Sequence, residues 1–374
     1  MKVCFISNFF NHHQLDFCEE MYRNLKSDFT FIQTDLIPEF RVNLGYRDLS
    51  DGKKYIVNYI GNEKNAKKII SDANIIINTQ MLGTRYLKYN KKSDTVVFWY
   101  MERIFKDPSV KFIKNCAKFL VYKTWLSTKR KQYFLCASSY CKHDLMLLSK
   151  KLSINCLKWG YFPHIDWSKK HRFFDDNIVR FLFVGRLISW KHPEMCLIAA
   201  NYLRSKNVPF EINIIGDGKM KKKLTEMITK ANLEQYVRLL GAMQNDRLSD
   251  MYAKTDCLLF TSGREEGWGA VLNEGMAYGC IPIASSEAGS TKYLLSHYNV
   301  GYTYSDLGQF YKCLDMVVEG KRANLLPEKS TSIRIVIANH WNGTIAANRF
   351  LDLCYKINSG DSHFSENNEL GSLC

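Results

Sequence analysis

Short apolar runs alternate with segments of helical periodicity along most of the chain. Such runs include residues 2–7, 74–78, 179–184 and 257–260, each bounded by polar or glycine-rich residues. Runs of this length, rich in β-branched and aromatic residues, are typical of buried parallel strands. Between them, segments such as 15–25 place their apolar residues on one face of a helix. The pattern predicts an α/β fold with parallel sheets.

The length of 374 residues exceeds what one hydrophobic core usually contains, so we expect two domains. Residues 1–165 form the first predicted domain and residues 166–331 the second, with the charged, aperiodic segment 164–177 connecting them. The polar residues 358–374 are predicted to be disordered. Hydrophobic residues make up 46% of the chain and charged residues 24%, which favours a globular protein.

The stretch at 261–286 is the most informative part of the sequence. It follows the apolar run 257–260 and opens with polar and glycine residues, as expected of a loop at the carboxyl end of a parallel strand. A helix predicted from about 270 to 278 and a strand at 280–284 complete the unit. Open α/β sheets bind their ligands at this edge.

Two glycines in this loop allow the backbone to approach a ligand closely. Gly267 and Gly269 precede the predicted start of the helix at Ala270 and Val271. The first backbone amides of a helix attract phosphate groups. The loop therefore predicts a phosphate-binding site.

Two carboxylates accompany these glycines. Glu266 stands in the loop, and Glu274 follows on the helix with seven residues between them. Carboxylates accept hydrogen bonds from hydroxyls, which sugars and riboses offer in neighbouring pairs. A solvated surface charge would explain either glutamate alone, but not the glycines, the helix start and the spacing together.

These motifs resemble the nucleotide-sugar domain of family 4 retaining glycosyltransferases, also called glycosyl transferases group 1. That family carries an E-G-[FW]-G segment followed by E-(AG)-M-A-x-G, and this chain has EGWG at 266–269 and EGMAYG at 274–279. The resemblance extends over about residues 180–295. It implies the GT-B fold, in which two Rossmann-like α/β domains face a central cleft.

The resemblance also implies how the domains divide the work. Residues 1–165 would bind the acceptor, and a C-terminal helix at about 332–356 would pack back on them. Residues 166–331 would bind the nucleotide sugar. The expected reaction is the transfer of a sugar from a nucleoside diphosphate (NDP) sugar to a hydroxyl, with retention of the anomeric configuration.

Residue roles follow from the same resemblance. Arg186 and Lys191 would contact the diphosphate as a forked guanidinium and a point ammonium. Taken alone, without the rest of the motif, each would be interpreted as a surface charge. Glu266 would hold sugar hydroxyls and Glu274 the ribose, and Arg238 would lie near the nucleobase. The implied donor-binding residues are Gly185, Gly216, Arg238, Gly267, Trp268, Gly269, Ala270, Val271 and Glu274.

The acceptor side is less well defined. Asn11, His12 and His13 follow the first predicted strand, where they either contact the acceptor or sugar or simply form a loop. Many relatives place a histidine after the strand that ends near Tyr100, but this sequence has Glu102 there. Glu102 is our candidate for a carboxylate at the reacting centre, where it would accept the acceptor's proton or stabilise developing positive charge. The alternative is a structural role at the surface.

The net charge of +15 favours anionic partners. The segment 106–132 combines lysines and arginines with interleaved aromatic residues. Two interpretations remain open for it: contact with an anionic membrane surface, or a core helix with a solvated lysine face. Zinc-finger, RNP and recognition-helix patterns are absent, so nucleic acid is not an expected partner.

The 12 cysteines are scattered without the spacing of a disulfide framework or a zinc site. The sequence starts directly with an apolar strand pattern and has no run of 18 apolar residues. Together these features predict a cytoplasmic protein with reduced thiols, which would be peripheral on the inner face of the cell membrane if the basic segment binds lipid.

The resemblance, taken with these features, therefore predicts a retaining, metal-independent hexosyltransferase. The expected partners are an NDP-sugar donor and a glycan or lipid-linked acceptor of bacterial surface polysaccharide or lipopolysaccharide synthesis, with no further cofactor. The predicted catalytic residues are Arg186, Lys191, Glu266 and Glu102. The alternatives are a sugar-phosphate phosphorylase or epimerase of similar architecture, or a non-catalytic protein that binds nucleotide sugars.

Overall fold

The computed structural model describes residues 1–42, 47–79, 84–106, 120, 130–174 and 176–359. Two compact units are present. Unit 1 contains Met1–Pro38 and the described parts of Arg47–His164 and His340–Cys374. Unit 2 contains the described parts of Glu39–Tyr46 and Ile165–Asn339.

Unit 1 is built on a parallel sheet that has seven strands in the described residues. The strands are β1 (Val3–Ser7), β2 (Phe29–Gln33), β3 (Ile56–Asn58), β4 (Ile75–Asn78), β5 (Val96–Met101), β6 (Gln132–Cys136) and β7 (Cys156–Lys158). Their order across the sheet is β3-β2-β1-β4-β5-β6-β7. Every residue of β1 is buried, which explains why this strand is a continuous apolar run in the sequence.

Unit 2 has a second parallel sheet, with six strands in the described residues. The strands are β8 (Val179–Val184), β9 (Phe210–Ile215), β10 (Val237–Gly241), β11 (Cys257–Phe260), β12 (Ile281–Ser285) and β13 (Tyr302–Tyr304). Their order is β10-β9-β8-β11-β12-β13. In both sheets the first strand lies in the interior, and the later strands are added on both sides of it, as in a Rossmann-like domain.

Helices connect the parallel strands, as right-handed crossovers require. The α-helices with both ends in the described residues are α1 (Leu15–Leu25), α2 (Glu39–Val42), α3 (Glu63–Asp72), α4 (Thr84–Leu87), α5 (Cys141–Leu148), α6 (Lys150–Ser153), α7 (Met195–Ser205), α8 (Lys221–Lys230), α9 (Asn245–Tyr252), α10 (Val271–Ala277), α11 (Leu307–Arg322), α12 (Leu326–His340) and α13 (Gly343–Ser359). One feature absent from the sequence prediction is a π-helical turn at Lys292–Ser296.

The helical segment predicted at about 332–356 is divided between α12 and α13. The break falls at Trp341 and Asn342, and the Asn342 side chain accepts a hydrogen bond from the backbone N–H of Ile345 (3.0 Å), which caps α13. α13 packs closely on α1, because a Cβ at Gly343 would lie only 2.5 Å from the backbone nitrogen of Phe17. α13 therefore belongs to unit 1, whereas α12 belongs to unit 2 except for its last residue.

The ten cysteines in the described residues form no disulfide, and all except Cys156 are buried. Burial raises the pKa of thiols such as those of Cys4 and Cys257, which keeps them protonated and unreactive. They behave as small core residues.

No helix among the described residues is both long enough and apolar enough to cross a membrane. Most of the basic and aromatic segment predicted at 106–132 lies outside the described residues, at 107–119 and 121–129. Residues 360–374 of the predicted disordered tail also lie outside them.

Candidate functional site

The candidate site lies at the carboxyl ends of two neighbouring strands of unit 2. β8 and β11 are adjacent in the sheet, at the point where the order changes from β10-β9-β8 to β11-β12-β13. Connections leave such a switch point in opposite directions, which opens a crevice where α/β proteins bind their ligands. The loops after these strands, 185–192 and 261–270, carry most of the residues that the sequence predicted for the donor side.

The loop after β8 brings two cations to one aromatic ring. The Arg186 guanidinium lies 5.3 Å, and the Lys191 ammonium 5.2 Å, from the centre of the Trp190 ring. Aromatic faces attract cations, so the indole helps to hold both side chains at this edge. The Lys191 stem passes Gly185, with its Cδ 3.7 Å from the position of a Cβ on that glycine.

The loop after β9 supports the β8 loop through backbone contact. A Cβ at Gly216 would lie 1.9 Å from the carbonyl oxygen of Gly185, and Gly216 has a φ of +144°. The backbone N–H of Leu187 donates to the carbonyl of Asp217 (2.9 Å). Gly216 is therefore required for close packing of the two loops, which sets the position of Gly185 and Arg186.

The loop after β11 is hydrogen-bonded to the loop after β8. The Thr261 hydroxyl donates to the carbonyl of Lys191 (2.7 Å), and the backbone N–H of Gly263 donates to the carbonyl of Trp190 (2.9 Å). These bonds join a hydroxyl and a backbone amide of one loop to backbone carbonyls of the other, so they fix the loops relative to each other without using the charged groups.

Lys191 and Glu266 form an ion pair across these two loops. Both side chains are only 11% exposed. A pair at this depth is less screened than one at the surface, but each charge has lost much of its hydration. The structure thus pairs Lys191, which was predicted to bind the diphosphate, with Glu266, which was predicted to bind the sugar.

Three of the predicted donor-binding residues shape the β11 loop from inside. Trp268 is fully buried, and its indole N–H donates to the Asn273 side-chain oxygen (2.8 Å). Gly269 has a φ of +89°, and a Cβ there would lie 2.3 Å from the Phe260 ring. Gly267 is also buried. Trp268 therefore offers no exposed ring surface to a ligand and acts on the loop through packing.

The helix predicted at about 270–278 is α10. Ala270 is its N-cap residue and Val271 its first residue, so both lie at the same edge as the two loops. The backbone N–H of Leu272 donates to the carbonyl of Gly269 (3.0 Å), and that of Glu274 to the carbonyl of Ala270 (3.1 Å).

Glu274 is held by a buried tyrosine that the sequence did not predict. The Tyr252 hydroxyl donates to Oε2 of Glu274 (3.0 Å), and the Tyr252 ring stacks on Tyr278 at 5.8 Å. Burial, together with the Glu274 carboxylate, raises the pKa of Tyr252. The phenol therefore stays protonated and keeps its role as donor.

His192 is a further cation candidate beside Lys191. Its backbone has a left-handed φ of +47°, which is rare for a residue other than glycine. Nδ1 lies 3.0 Å from Oε1 of Glu194, and this hydrogen bond raises the pKa of His192. Nε2 lies 3.1 Å from the position of a Cβ at Gly263, which places the imidazole against the β11 loop.

Arg238 is not brought to this group of residues. It is exposed on the edge strand β10, opposite Asn213 and three residues before the end of that strand. The backbone at the strand end does reach the β9 loop, because the N–H of Gly216 donates to the carbonyl of Gly241 (2.8 Å).

The predicted acceptor-side residues lie in unit 1, at the carboxyl edge of its own sheet. Glu102 follows β5, His13 follows β1 and Tyr161 follows β7. The Tyr161 hydroxyl donates to Oε1 of Glu102 (2.7 Å), and the Tyr161 ring stacks on His13 with 5.5 Å between ring centres. The other oxygen of Glu102 pairs with Lys106. Tyr161 therefore links two residues that the sequence suggested separately.

Asn11 and His12 have different surroundings. Asn11 is buried, and its side-chain oxygen accepts from the backbone N–H of His13 (2.9 Å), so it fixes the turn. The ring of His12 lies 4.0 Å from that of His13, and the backbone N–H of His164 donates to the carbonyl of His12 (2.9 Å).

Sequence reasoning missed the roles of Trp190, His192, Tyr252 and Tyr161. The first two are neighbours of Lys191, so attention to its flanking residues could have found them. Tyr252 and Tyr161 are 22 and 59 positions from the carboxylates to which they donate. No local sequence pattern predicts a contact between residues so far apart in the chain.

Comparison with known proteins shows a family similarity in the region that holds this site. Residues 165–306 match the model of the family described as glycosyl transferases group 1. An uncharacterized glycosyltransferase of Methanocaldococcus jannaschii is 29% identical over 191 residues, which are 50% of this chain and 49% of that protein. The amylovoran biosynthesis glycosyltransferase AmsK of Erwinia amylovora is 31% identical over 124 residues, which are 32% of this chain and 30% of that protein. The matches thus span about half or less of these relatives.

Solved structures share the fold of nearly the whole chain. A structure of Anabaena HepE with UDP has a TM-score of 0.70 at 14% identity, and the match covers 95% of this chain and 100% of that one. The lipopolysaccharide outer core galactosyltransferase WaaB has a TM-score of 0.62 at 17% identity, with 90% and 99% covered. The predicted GT-B fold is confirmed, and the similarity to the glycosyl transferases group 1 family extends over residues 165–306, which hold the candidate site of unit 2.

Proposed function

We propose that this protein is a retaining glycosyltransferase that moves a sugar from an NDP-sugar to a hydroxyl of a glycan or lipid-linked acceptor. The observation that carries the proposal is the meeting of Arg186, Lys191 and Glu266 at the switch point of the unit 2 sheet. Two cations and a hydroxyl-binding carboxylate are what a sugar diphosphate requires of its binding site.

The similar proteins favour particular substrates. HepE structures hold UDP and UDP-glucose, AmsK is an amylovoran biosynthesis enzyme, and WaaB acts on the lipopolysaccharide outer core. A UDP-sugar donor and an acceptor of surface polysaccharide or lipopolysaccharide synthesis are the substrates that fit these precedents. The basic segment at 106–132 would then hold a cytoplasmic enzyme at the inner membrane face.

In the proposed reaction, Arg186 and Lys191 stabilise the leaving group. The bond from sugar C1 to the diphosphate oxygen breaks, and negative charge accumulates on the diphosphate. Fixed cations in a site with little water stabilise this charge more in the transition state than in the bound donor. The same charge balance makes a metal ion unnecessary, so the enzyme is proposed to be metal-independent.

Glu266 and Glu274 would divide the recognition of the donor. Glu266 lies beside Lys191, so it would accept hydrogen bonds from sugar hydroxyls next to the diphosphate. Glu274 lies on α10 and is oriented by Tyr252, so it would hold the ribose on the nucleoside side.

Unit 1 would supply the acceptor side. The acceptor oxygen forms the new bond to C1 on the face that the diphosphate leaves, and its proton must pass to a base. Glu102 is held between the Tyr161 hydroxyl and Lys106. It is the candidate base that would accept this proton, or else the carboxylate that would stabilise the positive charge developing on the sugar.

A transfer assay tests the proposal. The full chain is incubated with a panel of NDP-sugars and glycan or lipid-linked acceptors, and NMR reports the anomeric configuration of the product. Transfer with retained configuration supports the proposal. Inverted product would remove the retaining mechanism, turnover with phosphate or without any acceptor would indicate a phosphorylase or epimerase, and binding without turnover would indicate a non-catalytic protein.

A further inference from the structure

We propose that Glu266 is an internal anion, which occupies Lys191 while no diphosphate is bound and competes with the incoming diphosphate for it. This inference rests on the proposed function, because it takes a diphosphate as the ligand of Lys191. It adds a means of control to that site: one of the two cations is available only when Glu266 releases it.

The hydrogen bonds that join the two loops do not involve the charged groups of the ion pair. Backbone atoms of Lys191 and Trp190 accept the bonds from Thr261 and Gly263 that join the two loops. The ammonium of Lys191 takes no part in those bonds and pairs with Glu266. The Lys191 side chain can therefore turn from the carboxylate to another anion while both loops stay in place.

Arg186 provides a contrast within the same loop. In the described part of the chain it forms no ion pair, and its guanidinium lies over Trp190. A diphosphate can reach Arg186 without displacing a carboxylate. Lys191 is different, because its charge is already paired, so a ligand that takes the ammonium leaves Glu266 buried next to a new negative charge.

Burial makes this exchange unfavourable for a bare diphosphate. Both side chains are 11% exposed, so neither charge is well hydrated when it loses its partner. A sugar attached to the diphosphate changes the balance, since its hydroxyls donate to Glu266 as Lys191 leaves. The pair therefore favours the intact donor, and after transfer Glu266 takes Lys191 back and promotes release of the diphosphate product.

The test uses inorganic pyrophosphate as a probe that carries the diphosphate but neither sugar nor nucleoside. Calorimetry measures its affinity for the full-length wild type, for Glu266→Gln and for Glu266→Asp. We expect Glu266→Gln to bind pyrophosphate about tenfold more tightly, as for the loss of one competing charged hydrogen bond. Glu266→Asp keeps the charge but withdraws the carboxylate from Lys191, so it should bind more tightly than wild type by a smaller factor.

Glu265→Gln is the matched control. Glu265 is the adjacent glutamate of the same loop, partly exposed and not paired with Lys191. Its change should alter pyrophosphate affinity by less than about twofold, since a partly exposed charge that is not paired with Lys191 is screened by salt. Thermal unfolding of each variant verifies that it is folded.

Three results would overturn the proposal. Unchanged or weaker pyrophosphate binding by Glu266→Gln and Glu266→Asp would show that Glu266 does not compete. Equal tightening by Glu265→Gln would show a general charge effect. Failure of every protein, wild type included, to bind pyrophosphate or any NDP would overturn the diphosphate site itself, and with it the proposed function.

Discussion

The hydroxyl of Tyr252 donates a hydrogen bond to Oε2 of Glu274 across 3.0 Å. Tyr252 is the last residue of α9, and Glu274 lies on α10 in the same unit. Because Tyr252 is only 1% exposed, its hydroxyl has little access to water and a strong preference for this acceptor. The Glu274 carboxylate is therefore oriented by the protein before a ligand arrives.

The first prediction concerns this orientation. Tyr252→Phe keeps the ring stacked on Tyr278 but removes the hydroxyl, so NDP affinity should fall by about 3- to 10-fold. Glu274→Gln removes the charge of the proposed ribose ligand and should weaken NDP binding by roughly 10- to 100-fold. Calorimetry with the preferred NDP measures both effects.

Tyr202→Phe is the matched control, because the Tyr202 hydroxyl donates to Asp315 (2.7 Å) elsewhere in unit 2. That variant should bind NDP as wild type does. If Tyr252→Phe also binds normally while Glu274→Gln loses affinity, orientation by Tyr252 has no part in nucleotide binding.

The second prediction concerns unit 1. Tyr161→Phe retains the stacking on His13 but releases one oxygen of Glu102, so transfer turnover should fall by about 10-fold while NDP affinity is unchanged. Steady-state kinetics with a defined acceptor, combined with NDP calorimetry, separates the two quantities.

Tyr55 provides the comparison for Tyr161. Its hydroxyl donates to Glu19 (3.1 Å), which makes a second tyrosine–glutamate pair in unit 1. Tyr55→Phe should leave transfer kinetics unchanged. Equal losses in the two variants, or a loss of NDP affinity in Tyr161→Phe, would show that the effect of Tyr161 is not specific to the acceptor side.

The third prediction concerns metal ions. Activity should persist after dialysis against EDTA, because we propose that Arg186 and Lys191 supply the charge that stabilises the leaving diphosphate. The measurement is turnover before and after chelation, with magnesium and manganese added back separately. Activity that disappears with EDTA and returns with either ion would show that these cations are insufficient.

Much of the fold was predictable because its strands are buried on both faces. The runs at 179–184 and 257–260 are found at the same residues as β8 and β11. Strands buried in this way are continuous apolar runs, which can be recognised from a few neighbouring residues alone. The break between α12 and α13 was not predictable in the same way, because it depends on a cap by Asn342 within a long helical pattern.

The candidate site was only partly predictable. Lys191 and Glu266 follow different strands, so their shared place at one sheet edge follows from parallel topology. Their direct pairing does not follow from topology. It depends on how the two loops are hydrogen-bonded together and on where each side chain then points. The bonds of Tyr252 and Tyr161 to glutamates likewise arise from tertiary packing.

The central claim is that Arg186 and Lys191 stabilise a leaving diphosphate, and single substitutions test it most directly. Turnover of the NDP-sugar is measured for Arg186→Ala and Lys191→Ala, with Lys206→Ala as a control cation that pairs with Asp315 away from these loops. Both site variants should lose turnover by on the order of 100-fold or more while remaining folded, and the control should retain it. Near-normal turnover in either folded site variant would contradict the claim for that residue.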